Sequence, residues 1–324
     1  MNILLTGGAG YIGSNASHSL IEKGSKVTII DNLENGDKNL VPDKAALVKT
    51  DISNTEEIKK VIKNNKFDVV MHFAAYTKVG ESVKYPDKYI KNNYEKAKIF
   101  VNTCLENGLN KVILSSTGAV YGNIEKNLLN ESDDVNPLNP YSISKFKLET
   151  YFKDLSSKKK LSSIILRYFN VCGADEYGKS GLKSNPDNLI KVICEVALKK
   201  RSQLIINGKD YNTKDGTTIR DYIHVSDLVE MHILAAQKLL TNQSYQTEIY
   251  NCGYGKGFSI LDIVNNFNSI LDENIRYKFG ERRKGDAERS VADNSKFVKD
   301  FNWKPKHNDL KYILKTALNW EKKI

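Results

Sequence analysis

The sequence predicts an α/β protein in which a doubly wound parallel sheet is followed by a smaller α/β lobe at the C-terminus. Two observations lead to this fold class. Short apolar segments alternate with helical segments through about the first 170 residues, a pattern typical of a parallel sheet covered on both faces. In addition, a glycine-rich turn directly follows the first apolar segment, where open α/β sheets bind their ligands.

The glycine-rich turn joins the apolar segment at residues 3–5 to a helix predicted over Tyr11–Glu22. Gly7, Gly10 and Gly13 follow the G-x-x-G-x-x-G spacing, so the turn is tight and its backbone can approach a pyrophosphate closely. The start of the helix presents unpaired N–H groups and the positive end of its dipole to the same anion. This arrangement is typical of a Rossmann dinucleotide-binding unit.

An acidic residue then ends the second predicted strand, which covers residues 26–30 and is followed by Asp31. A carboxylate at this position accepts hydrogen bonds from both ribose hydroxyls, whereas a 2′-phosphate would meet a like charge. Asp31 therefore favours NAD over NADP. The alternative is a structural turn followed by an ordinary capping aspartate.

The remaining segments divide the chain into two parts. Strands are predicted at residues 46–51, 67–75, 111–117 and 161–167, with a long helix at 85–108. Beyond Asn170 the pattern changes, with helical stretches at 188–200 and 221–240, an apolar run at 203–207 and a strand at 249–253. We expect a dinucleotide-binding domain at 1–170, completed by a return strand and helix from about 221–253, and a substrate lobe at 171–324. A ligand cleft is expected over the carboxyl ends of the strands.

Composition argues against a nucleic-acid partner although the formal net charge is +10. The positive charge comes mainly from scattered lysines without a long basic block, which indicates solvated surfaces. Only seven of the 49 basic residues are arginine. Each of these is therefore a candidate for planar, bidentate recognition of an anion, and Arg220, Arg282 and Arg283 lie near other motif residues.

The cysteines and the N-terminus bear on compartment. The four cysteines are far apart and show no metal-ligand or redox spacing, so they are expected to be buried and reduced, and no metal site is predicted. The chain opens on a strand without a signal peptide, and it contains no 18-residue apolar run. The sequence thus predicts a cytoplasmic protein with no membrane partner.

A tyrosine and a lysine provide a candidate catalytic pair. Asn139 and Pro140 form a helix-start signal, so Tyr141 and Lys145 lie one turn apart on the same helix face. An ammonium and an oxidised nicotinamide both favour the phenolate, which would make Tyr141 a base for a sugar hydroxyl near neutral pH. Thr117 ends a preceding strand, and its hydroxyl is expected at the same edge of the sheet.

The Tyr-x-x-x-Lys spacing also occurs at Tyr94 and Lys98. This second pair falls inside a long amphipathic helix. We interpret Tyr94 as a packing residue and Lys98 as a solvated charge.

Taken together, these motifs closely resemble the extended short-chain dehydrogenase/reductase family and, within it, the UDP-hexose 4-epimerases. The resemblance covers nearly the whole chain and is carried by residues 6–13, 31–33, 79–82, 115–122, 141, 145, 167–170, 215–217, 220–225 and 282–286. It implies an NAD-dependent isomerase that acts in galactose metabolism and supplies sugars for surface polysaccharide. It also implies a homodimer formed through helices at residues 85–108 and 141–155.

The resemblance assigns roles to individual residues. It implies Tyr141 as the base, Lys145 as the residue that holds the nicotinamide ribose and tunes Tyr141, and Thr117 as a partner of the reacting hydroxyl. The implied NAD-binding residues are Gly7, Gly10, Tyr11, Ile12, Gly13, Asp31, Asn32, Asp51, Ile52, Phe73, Ala74, Ala75, Asn92, Tyr141, Lys145 and Phe169. The implied UDP-sugar-binding residues are Thr117, Tyr141, Asn170, Asn188, Leu189, Arg220, Arg283, Asp286 and Ser290.

The residues after Thr117 indicate which reaction follows hydride transfer. Relatives that eliminate water or carbon dioxide typically carry carboxylates there, whereas this chain has Gly118 and Ala119, which cannot transfer protons. The simplest outcome is that a 4-ketose turns over and takes the hydride back on its other face, so that NAD need not leave. The open alternatives are another nucleotide-sugar epimerase, dehydratase or decarboxylase, and a non-catalytic NAD-sensing scaffold.

Several positions depart from the best-known epimerases. Ala75 replaces a loop glycine, Thr77 stands where a lysine is common, and Lys96 and Ala97 replace a Gly-Thr pair. Ser290 occupies the position at which a tyrosine closes the sugar pocket of epimerases restricted to glucose and galactose. A small side chain there is expected to leave room for a 2-acetamido group, and hence for UDP-GlcNAc and UDP-GalNAc.

Overall fold

The computed structural model describes residues 1–183, 188–241, 244–271, 273–283 and 285–324. The chain forms two compact units, each built from three segments. The first unit contains Met1–Thr117, Asn139–Arg167 and Val229–Tyr250, and the second contains Gly118–Leu138, Tyr168–Leu228 and Asn251–Ile324. Residues 118–138 and 168–170, which were expected in the first domain, belong to the second unit, and the return segment of the first unit is Val229–Tyr250 rather than about 221–253.

The secondary structure follows the predicted alternation. In the described part of the chain the strands are β1 (Asn2–Thr6), β2 (Lys26–Asp31), β3 (Ala46–Lys49), β4 (Val69–His72), β5 (Lys111–Thr117), β6 (Ser162–Tyr168), β7 (Asn170–Cys172), β8 (Leu204–Asn207), β9 (Ile219–His224), β10 (Thr247–Cys252), β11 (Gly257–Ser259), β12 (Tyr277–Gly280) and β13 (Arg289–Ser290). The α-helices are α1 (Tyr11–Glu22), α2 (Thr55–Lys63), α3 (Val79–Lys84), α4 (Pro86–Ile90), α5 (Ala97–Glu106), α6 (Pro140–Ser157), α7 (Leu189–Ala197), α8 (Val225–Thr241), α9 (Ile260–Asn268), α10 (Ser295–Phe301) and α11 (Leu310–Lys323).

The first unit is organised around a seven-stranded sheet with the strand order β10-β6-β5-β4-β1-β2-β3. The pairs β3–β2, β2–β1, β1–β4 and β4–β5 are parallel. The direction of winding reverses between β1 and β4, and ligands of open α/β sheets bind at such a switch point. The predicted doubly wound parallel sheet is therefore confirmed.

Burial of both sheet faces explains the apolar strands. β1 and β4 carry fully buried side chains on consecutive residues, as expected when helices cover a parallel sheet on both sides. One large cluster contains strand residues such as Leu4 and Val70 together with Phe100 and Phe152 from the helices. This packing holds the carboxyl ends of the strands in a fixed arrangement.

Two predicted helices differ in the structure. The segment predicted as one helix at 85–108 consists of α4 and α5 joined by a π-helical stretch at Lys91–Lys96. The helical pattern predicted at 221–240 begins instead as β9, and α8 starts only at Val225. The local pattern of residues 221–224 fits either secondary structure, and here the strand is selected by the pairing of β9 with β7, β11 and β13.

The second unit has its own small sheets and its own core. β9 pairs in parallel with β7 and β13 and antiparallel with β11, while β8 and β12 form a separate parallel pair. Residues of α7, α9 and α11 form an apolar cluster with these strands, including Ile193, Phe267 and Leu314. This is the smaller α/β lobe that the sequence predicts.

The cysteines fit the expectation from composition. Cys104, Cys172, Cys194 and Cys252 are free thiols in buried positions, and burial raises the pKa of each. Among the residues that the structure describes, no helix is long and apolar enough to cross a membrane.

Candidate functional site

The glycine turn after β1 is so tight that side chains are excluded from it. Gly7 has a φ of +74°, and a Cβ there would lie 2.7 Å from the backbone nitrogen of Ala74. A Cβ on Gly13 would lie 2.2 Å from the carbonyl oxygen of Gly7. Gly10 is less confined, since its Cβ would meet only the Gly7 oxygen at 3.3 Å. Gly7 and Gly13 are thus required for the turn itself, whereas Gly10 is available for close approach by a ligand.

Helix α1 begins immediately after this turn without a competing cap. Its N-cap residue is Gly10, no side chain caps the helix, and its first turn carries no acidic residue. Tyr11 and Ile12 occupy the first two helical positions. The helix start therefore offers N–H groups and a positive dipole end to an anion, as a dinucleotide pyrophosphate requires.

Acidic and polar residues lie at the ends of the two neighbouring strands. Asp31 ends β2 and is buried, and its carboxylate accepts hydrogen bonds from the backbone N–H groups of Ala9 (3.0 Å) and Leu33 (2.8 Å). Asn32 is exposed beside it. Asp51, which follows β3, is paired with Lys96 at 2.6 Å, and its neighbour Ile52 is buried. Burial alone would raise the pKa of Asp51, but the hydrogen bonds that Lys96 and Ser53 donate to its carboxylate hold this pKa below its usual value.

The loop after β4 lies on the other side of the glycine turn. Phe73, Ala74 and Ala75 are half-buried there, and the ring centroid of Phe73 lies 4.7 Å from that of His232. The backbone of Ala74 contacts the turn directly. Asn92 belongs to the π-helical stretch and donates a hydrogen bond to Asn93 at 3.1 Å. The expected NAD-binding residues described so far lie at or after the ends of β1, β2, β3 and β4, except Asn92, which lies in the π-helical stretch.

The candidate catalytic residues come together at the end of β5. Asn139 caps α6 and Pro140 is its first residue, as the sequence predicts, so Tyr141 and Lys145 share a face of this helix. Tyr141 is hydrogen-bonded to Thr117, the last residue of β5. Lys145 is buried and donates a hydrogen bond to the carbonyl oxygen of Ser115 at 2.9 Å.

Burial shifts both members of the Tyr–Lys pair towards their neutral forms. It raises the pKa of Tyr141, although the hydrogen bond from Thr117 acts in the opposite direction. It also lowers the pKa of Lys145 to about 8, against the charge of Glu149. The protein alone therefore does not bring the Tyr141 pKa to neutrality, and a positive charge is needed beside the phenol.

A buried ion pair behind this site was not found by sequence reasoning. Glu149 lies one turn beyond Lys145 and makes a two-point contact with Arg167, with nitrogen–oxygen distances of 3.0 Å and 2.6 Å. Ser116, the neighbour of Thr117, also donates to Glu149. The i+4 spacing from Lys145 was a usable signal, but a partner on another strand cannot be read from local sequence.

The second Tyr-x-x-x-Lys pair matches its expected structural role at the tyrosine but not fully at the lysine. Tyr94 packs partly buried against the core of the first unit. Lys98 is half-buried rather than fully solvated, because its ammonium lies 5.3 Å from the ring centroid of Tyr94 and 5.1 Å from that of Tyr151.

In the second unit, Gly118 is covered by an aromatic ring. A Cβ on Gly118 would lie 2.9 Å from the ring of Phe169, which is itself buried. A carboxylate side chain at this position would have to displace the ring of Phe169. The position directly after Thr117 therefore carries no acid or base, and the packing of Phe169 disfavours one there.

The late arginines have different surroundings. The guanidinium of Arg220 donates to the carbonyl oxygens of Ile219 (2.9 Å) and Ala287 (2.6 Å). Its neighbour Asp221 points elsewhere, since its carboxylate accepts from the backbone N–H groups of Tyr254 and Gly255. A local Arg220–Asp221 ion pair is thus not formed.

The remaining members of this group lie on the segment before β13. Arg282 forms an ion pair with Asp210 at 2.7 Å and covers the ring of Tyr211, so it has a structural role. Arg283 is half-buried, and its charge together with burial lowers the pKa of Arg220, whereas Asp286 raises it. Lys284 of the same motif lies outside the described residues.

The other expected substrate residues are also in the second unit. Ser290 is half-buried and pairs in register with Arg220 across β13 and β9. Asn170 is exposed at the start of β7. Asn188 caps α7 by accepting a hydrogen bond from the Lys191 N–H at 3.1 Å, and Leu189 packs partly buried against the core of this unit.

The first unit has a glycine turn between β1 and α1, an acidic residue at the end of β2 and a Tyr–Lys pair beside the end of β5. This combination defines a nicotinamide-dependent enzyme of the short-chain dehydrogenase/reductase class. Comparison with known proteins identifies the family more narrowly. The model of the NAD dependent epimerase/dehydratase family matches residues 3–253, and the chain belongs to this family.

Individual relatives are similar over nearly their whole length. The UDP-glucose 4-epimerase of Azospirillum brasilense is 40% identical over 99% of this chain and 92% of its own length. Solved structures of a UDP-glucose 4-epimerase from Stenotrophomonas maltophila, with bound NAD and formylated UDP-arabinopyranose, and of the UDP-Glc/GlcNAc 4-epimerase from Campylobacter jejuni are 32% and 36% identical. Both comparisons cover 100% of this chain. They cover 98% and 99% of the respective solved chains, with TM-scores of 0.95 and 0.85.

Proposed function

We propose that this protein is an isomerase that uses NAD to invert C4 of UDP-hexoses, with UDP-glucose and UDP-galactose as its substrates. The observation that carries the proposal is the grouping of Thr117, Tyr141 and Lys145 at the end of β5. Full-length relatives that are named as UDP-glucose 4-epimerases support the same reaction. The proposed role is in galactose metabolism and in the supply of sugars for surface polysaccharide.

In this proposal the residues around the glycine turn hold the cofactor. NAD, when bound, accepts a hydride from C4 of the sugar and returns it. The α1 N-terminus and Gly10 receive the pyrophosphate, while Asp31 accepts the ribose hydroxyls. The proposed contacts also include Asn32, Asp51, Ile52, Phe73, Ala74, Ala75, Asn92 and Phe169.

Tyr141 is the proposed base that takes the proton from the 4-hydroxyl group. Burial raises its pKa, so the phenolate must be favoured by Lys145 and by the positive charge of an oxidised nicotinamide. Thr117 is placed to orient the reacting oxygen, because it already hydrogen-bonds Tyr141. The reverse proton transfer completes the cycle after the 4-ketose has turned over.

Inversion is favoured over elimination by what lies next to Thr117. A dehydratase or decarboxylase needs a further proton-transfer group near the sugar. Gly118 cannot be replaced by such a group without displacing the ring of Phe169. A non-catalytic scaffold is likewise disfavoured, because it has no use for three grouped catalytic side chains.

The UDP moiety is proposed to bind the second unit. Arg220 and Arg283 supply positive charge for the diphosphate, since guanidinium groups bind phosphate oxygens in a bidentate manner. The proposed UDP-sugar contacts of this unit are Asn170, Asn188, Leu189, Arg220, Arg283, Asp286 and Ser290. The small side chain of Ser290 supports additional activity on UDP-GlcNAc and UDP-GalNAc.

We also propose a cytoplasmic homodimer. The proposed interface uses the helices at 85–108 and 141–155. Val83, Tyr85 and Ile99 are exposed apolar side chains on or beside the first of these helices.

The reaction is tested by incubating the purified protein with UDP-galactose and no added nucleotide. We expect UDP-glucose to accumulate to equilibrium, because the hydride is returned to the same substrate. The Tyr141→Phe variant serves as the matched control. If no epimer forms even when NAD is supplied, the proposed function is wrong.

A further inference from the structure

Beyond the implied NAD contacts, the loops after β2 and β4 are linked by a hydrogen bond. The phenol of Tyr76 donates to a carboxylate oxygen of Glu34 at 2.6 Å. Glu34 lies three residues after Asp31, and Tyr76 lies four residues after His72. Because β1 is the strand between β2 and β4, this bond extends past the carboxyl end of β1, where the glycine turn begins.

The Glu34 side of this link is held in an unusual backbone conformation. Leu33 has a φ of +60°, a left-handed backbone conformation that residues with a side chain rarely adopt. The carboxylate of Asp31 accepts from the Leu33 N–H, and the side chain of Asn32 accepts from the Glu34 N–H at 3.0 Å. These two bonds stabilise the bend that directs Glu34.

The Tyr76 side is fixed even more firmly. The buried side chain of Asn93 accepts from the Tyr76 N–H at 2.8 Å and donates to the Tyr76 carbonyl at 3.0 Å. The Tyr76 ring is 5.7 Å from the ring of Tyr89, and the ammonium of Lys88 lies 4.5 Å from its centroid. Burial and Glu34 raise the pKa of Tyr76, so its phenol remains a proton donor at physiological pH.

We propose that Tyr76 and Glu34 form a clasp over the bound dinucleotide and that this pair controls how slowly NAD leaves the protein. The inference rests on the proposed function, because it takes NAD as the ligand of the glycine turn. A dinucleotide that extends from Asp31 past the α1 N-terminus towards Thr117 must pass the loops that carry both residues. The Tyr76–Glu34 bond then has to open before the dinucleotide is released.

In this proposal the strength of the Tyr76–Glu34 hydrogen bond slows the release of NAD. A hydrogen bond between a phenol and a carboxylate is among the stronger side-chain bonds, because its acceptor is ionised. Loss of such a bond is expected to accelerate an opening step by about tenfold. An epimerase returns the hydride to its substrate, so slow release of NAD does not reduce its rate of turnover.

The test uses the purified holoenzyme and measures the rate at which NAD is lost. Released NAD is destroyed by an added NAD glycohydrolase, and the NAD still bound to the protein is quantified over time. The variants are Tyr76→Phe, Glu34→Ala and the double substitution. Tyr312→Phe is the matched control, because Tyr312 donates a similar hydrogen bond to Glu176 in the second unit.

We expect each single variant to release NAD about tenfold faster than the parent protein, and the double variant to be no faster than either, because all three lack the same bond. Tyr312→Phe should match the parent. Thermal unfolding of the NAD-free proteins verifies that the variants remain folded.

Unchanged or slower release from Tyr76→Phe and Glu34→Ala would overturn the clasp, as would equal acceleration by Tyr312→Phe. If the parent protein epimerises UDP-galactose and retains NAD while the variants also retain it, only the clasp is wrong. If the parent protein binds no NAD, both the clasp and the proposed function fail.

Discussion

Glu149 lies one helical turn beyond Lys145, and its charge opposes the burial that lowers the pKa of the Lys145 ammonium to about 8. The same carboxylate is bonded to Ser116, next to Thr117. Glu149 is therefore a positioning residue behind both the lysine and the threonine of the candidate site.

Removal of this charge should change the pH dependence of the reaction. In Glu149→Gln the pKa of Lys145 should fall below about 8, so the ammonium that supports the Tyr141 phenolate is lost at lower pH. We expect the alkaline limb of the kcat profile to move to lower pH. A purely structural role would instead lower kcat by the same factor at every pH and reduce thermal stability.

Replacement of the proposed base should strongly reduce turnover while most of the bound NAD is retained. Tyr141→Phe removes the phenol, and loss of a general base typically costs about 10²- to 10⁴-fold in rate. Epimer formation from UDP-galactose and the NAD content of the purified protein are measured together. Tyr94→Phe, in the second Tyr-x-x-x-Lys pair, should retain full activity. Comparable losses in both variants would argue against the assigned base.

Two glycines of the same turn should respond differently to substitution by alanine. Gly13→Ala places a Cβ 2.2 Å from the Gly7 oxygen, so the turn must distort and the protein should lose both stability and NAD. Gly10→Ala adds a contact at only 3.3 Å, so folding should be retained while NAD binding weakens. Urea unfolding and NAD titration distinguish the two effects, and equal loss of stability in both variants would contradict this assignment.

The breadth of sugar specificity should depend on Ser290. Ser290→Tyr fills the space that we assign to a 2-acetamido group, so activity on UDP-GalNAc should fall while activity on UDP-galactose is retained. Ser290→Ala keeps the space and serves as the control. The kcat/KM values for the two substrates are compared, and an equal loss on both would exclude a specificity role.

Acid should destabilise the fold through a buried histidine. Burial lowers the pKa of His72 from 6.5 to about 3, so below pH 6.5 the unfolded chain binds a proton that the folded chain excludes. This histidine should make the free energy of unfolding fall by about 1.4 kcal/mol per pH unit as the pH decreases from 6.5 towards 3. Urea unfolding at several pH values measures the slope. His72→Asn should give a shallower slope, and an unchanged slope would contradict the assignment.

Local signals made most of the first unit predictable. The bounds of α1 follow from the glycine turn before it and Gly24 after it, and the start of α6 follows from the cap at Asn139 and Pro140; the structure has both. The prediction of a helix from residue 221 is wrong for β9 because no Gly or Pro separates β9 from α8, so that only pairing with other strands distinguishes them.

Contacts between distant segments could not be predicted. The Glu149–Arg167 ion pair joins a helix to the next strand, and the Asp51–Lys96 pair links residues on either side of β4. Lys96 was noticed only as a departure from the usual Gly-Thr pair. Local periodicity carries no information on such partners, because tertiary packing brings them together.

The position of β10 has a consequence for biosynthesis. This strand flanks β6 at the end of the seven-stranded sheet, yet it lies at Thr247–Cys252, after most of the second unit has been translated. A nascent chain of residues 1–170 therefore exposes the unpaired edge of β6, which is a template for aggregation. The sheet of the first unit is complete only after β10 has been translated, so a truncated 1–170 fragment is expected to aggregate more readily than the whole chain.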